Sequence, residues 1–157
     1  EVLETVDRYV EIVPREQALV DPQTGTSYPI LRAYEDEQHT RLAGIAFKFR
    51  GLGFWAPIEG WLAVTPDRSK TLGIVITRQA ETPGLGGRIT ENWFQEQFEG
   101  EEIPASGQIV FTAGDGDTDY DNSEVDGITG ATRTSESMER IVNREIEAIR
   151  SLVGGNA

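Results

Sequence analysis

W-A-P-I-E-G-W-L-A-V at residues 55–64, T-P-D-R-S-K at 65–70 and T-L-G-I-V-I-T at 71–77 decide the architecture. The outer runs are rich in β-branched and aromatic residues, and the six residues between them are turn formers. The stretch therefore reads as a β-hairpin. Upstream, Y-P-I-L-R-A-Y (28–34), the polar E-D-E-Q-H-T (35–40) and R-L-A-G-I-A-F-K-F-R (41–50) give another strand, turn and strand. In the second of these strands Ile45, Phe47 and Phe49 alternate with Ala46 and Lys48, so one face turns inward. Gly51-Leu52-Gly53 is expected to break that strand. D-P-Q-T-G-T-S (21–27) is a turn cluster.

Helical spacing appears in three places. Val2, Leu3, Val6, Tyr9, Val10 and Val13 predict a first helix ended by Pro14. Thr90 reads as the N-cap of E-N-W-F-Q-E-Q-F-E, with Gly100 as its stop. From about Ser135 to Val153, Met138, Ile141, Val142, Ile146, Ile149, Leu152 and Val153 share a face opposite Glu and Arg, which predicts an amphipathic helix. I-V-F-T (109–112) is a short strand, and D-G-D-T-D-Y-D-N-S-E (115–124) an acidic run.

The expected class is α+β: a mostly antiparallel curved sheet flanked by helices, closed by a C-terminal amphipathic helix. No βαβ unit of dinucleotide-binding type is visible. The chain has 157 residues and reads as a single domain over 1–157, with any N-terminal membrane anchor outside it. It has no cysteine, which excludes disulfides, thiolate metal sites, iron–sulfur clusters and a Cys nucleophile. Lys and Arg number 14 against 27 Asp and Glu, a net charge of −13. That charge argues against nucleic acid and against unaided binding to an anionic membrane.

The stretch richest in chemistry is Asp126-Gly127-Ile128-Thr129-Gly130-Ala131-Thr132, followed by Arg133-Thr134-Ser135. It is a small-residue loop feeding the last helix, with Thr134 or Ser135 as the expected N-cap. Thr132 would then lie just ahead of a helix N-terminus, where free N–H groups and the macrodipole favour a phosphate. Gly130 and Ala131 allow close backbone approach. An ordinary capped loop has the same composition.

The string also resembles, at each specified position, the D-x-x-[ST]-G-A-T flavin-attachment motif. That motif belongs to the FMN-binding domain shared by the RnfG and NqrC subunits of bacterial redox-driven ion pumps. The resemblance implies that Thr132 is esterified to the FMN phosphate. Asp126, Thr129, Gly130 and Ala131 fill the motif's other positions. Glu81-Thr82-Pro83-Gly84-Leu85-Gly86-Gly87 resembles the family's E-T-P-G-L-G block beside the isoalloxazine, and Gly51 to Trp55 its G-x-G-F-W pattern. By resemblance Glu81, Thr82, Gly84, Leu85 and Gly86 are cofactor-binding, and Trp55 is a candidate to stack on the ring. Trp61 and Trp93 read as core residues.

The family implies an electron-transfer flavoprotein that relays electrons in an Rnf- or Nqr-type complex rather than a catalyst acting alone. It implies other membrane redox subunits as partners and a flavin transferase that attaches FMN from FAD with Mg²⁺. It also implies a place on the extracytoplasmic face of the cytoplasmic membrane. The same motifs occur in FMN-binding domains of free-standing flavin-dependent reductases, the alternative reading. A third, non-redox reading takes Asp115, Asp117, Asp119, Asp121 and Asp126 as a Ca²⁺ loop. Tyr120 stands where such a loop requires Gly, so a solvated acidic loop is the expectation and no metal is assigned. His39 lies in a polar turn, and no Ser-His-Asp arrangement is recognisable.

Overall fold

The computed structural model describes residues 9–13, 19–20, 25, 27–114 and 116–153. In chain order the strands are β1 (Val10–Ile12), β2 (Leu19–Val20), β3 (Ser27–Tyr28), β4 (Ile30–Tyr34), β5 (Leu42–Leu52), β6 (Pro57–Val64) and β7 (Thr71–Arg78). A 3-10 helix (Gly86–Thr90), the short α1 (Asn92–Glu96), β8 (Val110–Ala113), β9 (Glu124–Gly127) and α2 (Thr132–Val153) follow.

The main sheet has the order β1-β4-β5-β6-β7 and every pairing in it is antiparallel. The predicted hairpin, β6–β7, forms one end of it, with Leu62 opposite both Phe47 on the central β5 and Ile74 on the edge. Register irregularities at Ala33/Tyr34, Glu59/Gly60 and Ala63/Val64 bend the strands, as bulges do. Ile45, Phe47 and Phe49 are buried, as their alternation predicts. They meet Met138, Ile141, Val142, Ile146 and Ile149 of α2 in one core with Phe94, Phe98, Ile109 and Val125. Each such side chain contributes roughly 1.5–3 kcal/mol by leaving water.

The helix α2 seats on β5 at Gly51, where any Cβ would collide with Ile141. That contact brings the start of α2 toward the turn after β5. Gly51 and Leu52 therefore continue the strand, opposite Ile58 and Pro57, rather than break it. The break comes at Gly53, whose N–H donates to Ala56 O at 2.9 Å.

Four other expectations are corrected. Val10–Ile12 is a strand on the edge of the sheet, Val10 facing Ala33, and of the described residues before it Tyr9 alone is helical. Val, Ile and alternating polarity suit a sheet edge as well as a helix face, and pairing with β4 decides. Residues 1–8 and 14–18 lie outside the described residues. Thr90 closes the 3-10 helix, its hydroxyl donating to Gly87 O, and Glu91 is the N-cap of the five-residue α1. The last helix begins at Thr132, three residues earlier than expected, with Ser135 N–H donating to Ala131 O. Finally, Glu124–Gly127 forms β9, parallel to β8, where a loop was expected.

Candidate functional site

Three segments converge at the N-terminus of α2: the turn 53–57 between β5 and β6, the turn 81–87 after β7, and 128–134 leading from β9 into the helix. Between them lies a cleft of about 410 Å³ walled by Phe54, Trp55, Thr82, Leu85, Gly86 and the 130–134 segment. Trp55 and Leu85 are exposed at 65% and 44%, so the apolar wall faces solvent instead of the core. The Phe54 and Trp55 rings lie 4.6 Å apart, tilted by 54°. The Arg133 guanidinium sits 5.4 Å over the Phe54 ring and brings a cation to the rim.

The turn 81–87 is pinned by its own backbone. Thr82 O accepts from Leu85 N–H at 3.1 Å and from Gly87 N–H at 3.0 Å, and Gly84 takes φ +73° between them. The Trp55 indole N–H donates to Thr82 Oγ1 at 3.2 Å, fixing the ring across this turn. Gly130, at φ +81°, makes the bend into the helix; a Cβ there would touch Leu85 at 3.6 Å.

The hydroxyls around the helix start differ sharply. Thr129 donates to Gly114 O at 3.2 Å. Thr134 is buried and donates to Glu81 Oε2 at 2.6 Å. Ser135 donates to Ala131 O and accepts from Ile128 N–H at 2.9 Å. Thr132 is exposed and opens α2, and among the described residues its hydroxyl has no protein partner. It stands on the rim of the first cleft and also of a second, of about 380 Å³, lined by Phe111, Thr112, Thr129, Ser135, Glu136 and neighbours.

Trp55, Thr82, Leu85, Gly86, Gly130, Ala131 and Thr132 thus come together on one cleft. Thr129 faces the second cleft. Gly84 shapes the turn, and Glu81 lies buried behind it. Asp126 lines neither cleft: its Oδ1 accepts from Thr112 Oγ1 at 3.1 Å and its Oδ2 from Gly116 N–H at 2.9 Å, tying β9 to β8 and the acidic loop. Trp61 lies half-buried on β6, and Trp93 packs against the core. His39 stacks on Tyr34 at 4.4 Å, in a turn outside the cleft. Phe54 and Arg133 belong to the wall without having been named as cofactor-binding; Phe54 stands inside the quoted G-x-G-F-W pattern and Arg133 directly follows Thr132, which was the available signal. Among the described residues no cluster of acidic or histidine side chains could hold a metal ion, and no helix is long and apolar enough to cross a membrane.

The chain matches the model of the FMN-binding domain over residues 53–147, more than half its length. It is 34% identical over 126 residues to the NqrC-type subunit of the Na(+)-translocating NADH-quinone reductase of Chlamydia pneumoniae, covering 69% of this chain and 39% of that protein. It is 37% identical over 90 residues to the corresponding subunit of Haemophilus ducreyi, covering 57% and 35%. The chain therefore spans about two fifths of such relatives. The crystal structure of Shewanella oneidensis NqrC superposes with a TM-score of 0.78 at 19% identity, covering 97% of this chain and 86% of that one. The crystal structure of the matching reductase subunit from Parabacteroides distasonis gives 0.73 at 23% identity, covering 99% and 83%. These likenesses bear out the α+β fold, and with the family match over the cleft-forming segments, the chain belongs to the FMN-binding domain family.

Proposed function

We propose that this domain carries FMN esterified through its phosphate to Thr132 and relays electrons within an Nqr-type membrane complex. The observation that carries the reading is Thr132 itself: a solvent-facing hydroxyl at the first position of a 22-residue helix, in a loop whose other hydroxyls are engaged. The helix N-terminus offers free N–H groups and positive potential to a phosphate held there. The cleft beside it suits a flat heteroaromatic ring. Phe54, Trp55 and Leu85 give it apolar walls, Gly86 and Gly130 lie where close approach is needed, and it opens directly onto Thr132.

In attachment, Thr132 Oγ1 would displace AMP from the pyrophosphate of FAD. A Thr–O–P bond would form as the P–O–P bond breaks, with AMP as the leaving group and the hydroxyl proton released; the flavin transferase implied by the family resemblance would supply the catalysis. The attached group supplies the redox chemistry. The chain contributes positioning: Trp55 and Leu85 would cover the ring, Thr82 holds the Trp55 indole, and Arg133 offers a positive charge at the rim. The relatives named for a Na(+)-translocating reductase favour Nqr over Rnf. They also support other membrane redox subunits as partners; the extracytoplasmic location is carried by the family resemblance alone.

The test is intact mass of the chain co-expressed with a flavin transferase. Wild type and Thr129→Ala should gain the FMN mass and Thr132→Ala should not. Flavin on Thr132→Ala would refute the assignment.

A further inference from the structure

Glu81 is only 4% exposed, and it lies where the three cleft-forming segments meet. Its Oε1 accepts from the backbone N–H of Trp55 at 3.0 Å and its Oε2 from the Thr134 hydroxyl at 2.6 Å. Trp55 belongs to the turn after β5. Thr134 belongs to the first turn of α2, two residues beyond Thr132. Glu81 itself opens the turn that carries Leu85. Two glycines make room for this arrangement. A Cβ at Gly53 would fall 2.6 Å from Glu81 Oε1, and one at Gly86 would collide with Thr134 Oγ1. Both carboxylate oxygens point at protein donors, and Glu81 lines neither cleft. Among the described residues no cation pairs with it, so these donors are what keep a buried carboxylate tolerable.

We infer that Glu81 is a positioning residue: its carboxylate clamps the Trp55 turn to the first turn of α2, so that a ring tethered at Thr132 meets a wall of fixed geometry. This departs from a direct flavin contact at Glu81 and rests on the proposed attachment at Thr132. A buried acceptor bound by a backbone N–H of one segment and a hydroxyl of the other ties the two segments together. The ring-facing indole of Trp55 is anchored twice to the same turn, by Thr82 at its Nε1 and by Glu81 at its backbone. Releasing Glu81 leaves only the exposed anchor.

Three variants separate positioning from mere stability. Glu81→Gln keeps the acceptor for Trp55 N–H, and its amide can donate to Thr134 Oγ1 once that hydroxyl turns, so the clamp survives. Glu81→Ala removes both bonds. Thr134→Val removes one at nearly constant shape. Each is co-expressed with the flavin transferase, weighed by intact mass, checked for folding by far-UV circular dichroism, and read by visible circular dichroism and fluorescence of the attached flavin. All should carry the same flavin mass as wild type, because Thr132 is intact. Glu81→Ala and Thr134→Val should lose most of the visible dichroic band and fluoresce more brightly, since Trp55 no longer quenches a held ring; Glu81→Gln should match wild type.

Wild-type optical signals in folded Thr134→Val or Glu81→Ala would overturn the inference while leaving the attachment standing. Loss of the signals in Glu81→Gln would overturn the clamp in favour of charge alone. A wild-type chain that gains no flavin mass would overturn the attachment and this inference together. Should Glu81→Ala fail to fold, Thr134→Val still decides.

Discussion

The carboxamide of Gln97 and the backbone of Asp126 hydrogen-bond in both directions: Asp126 N–H donates to Gln97 Oε1 at 2.8 Å, and Gln97 Nε2 donates to Asp126 O at 3.1 Å. The same Oε1 accepts from Asp117 N–H at 2.8 Å. Gln97, only 2% exposed, therefore acts toward β9 as a further strand would. It holds the segment that delivers Gly130 and Thr132 to the cleft.

Replacing Gln97 with Leu should destabilise the domain by about 2 kcal/mol or more, because three backbone groups lose their partner and unpaired buried groups cost roughly 1–3 kcal/mol each. Urea unfolding monitored by tryptophan fluorescence would measure it. An unchanged midpoint at unchanged slope would show that water replaces Gln97 freely.

Gly84 and Gly86 should respond differently to substitution. Gly84 has φ +73° with open space around its missing Cβ, so Gly84→Ala should cost about 1 kcal/mol of backbone strain and leave the cleft intact. Gly86 has no positive φ, and its substitution drives a methyl into Thr134 Oγ1. Gly86→Ala should therefore break the Glu81–Thr134 bond and change the optical spectrum of an attached flavin. Equal effects of the two substitutions on that spectrum would contradict this assignment.

How far the sequence revealed these features follows from where the signals sit. The hairpin β6–β7 and the burial of Ile45, Phe47 and Phe49 were legible because alternation and turn residues agree there with the tertiary fold. The amphipathic stripe of α2 was equally plain. Its start was not, because Thr134 and Ser135 are good cap residues in composition. In the fold their hydroxyls serve Glu81, Ile128 N–H and Ala131 O. β9 was hidden because Glu, Asp and Gly disfavour strands; its stability comes from β8, Gln97 and the burial of Val125. Nothing near Gln97 in sequence announces a partner 29 residues away. The cleft residues of 81–87 and 129–132 were found through the family resemblance. Composition alone left an ordinary capped loop.

The acidic loop should not bind Ca²⁺ specifically. Asp117 accepts from Asp119 N–H at 2.8 Å and from Asn122 Nδ2 at 2.7 Å, and the Asp119 backbone N–H is the leading reason its carboxyl titrates below the usual range. Asp121 pairs with Lys70 Nζ at 3.0 Å, and both oxygens of Asp126 are engaged. The carboxylates thus fold the loop rather than converge on a point. Calorimetry at millimolar Ca²⁺ should show no saturable heat; a site abolished by Asp117→Asn would overturn this and revive a cation-binding reading.

Glu101 predicts how stability depends on pH. It is 1% exposed, and its Oε1 has no hydrogen-bond partner among the described residues. Burial pushes its carboxyl from the ordinary 4.5 up to about 7; the backbone N–H groups of Ser123, Glu124 and Glu102 oppose the rise, and the Asp117 carboxylate adds to it. The folded chain then holds this proton more tightly than the unfolded chain does, so unfolding releases it between the two values. Glu101's share of stability is therefore greatest below about 4.5, falls as pH rises toward about 7, and stays low above that. Glu101→Gln mimics the protonated form at every pH. The variant should be more stable than wild type by about 3 kcal/mol at pH 8, the free energy of a shift of this size, and the gap should narrow toward pH 5. Denaturant unfolding of both chains from pH 5 to pH 8 tests this, and the difference between them cancels the titration of every other carboxylate. Parallel stability profiles would mean that Glu101 is ionised in the folded domain without penalty, through a partner the present geometry does not give it.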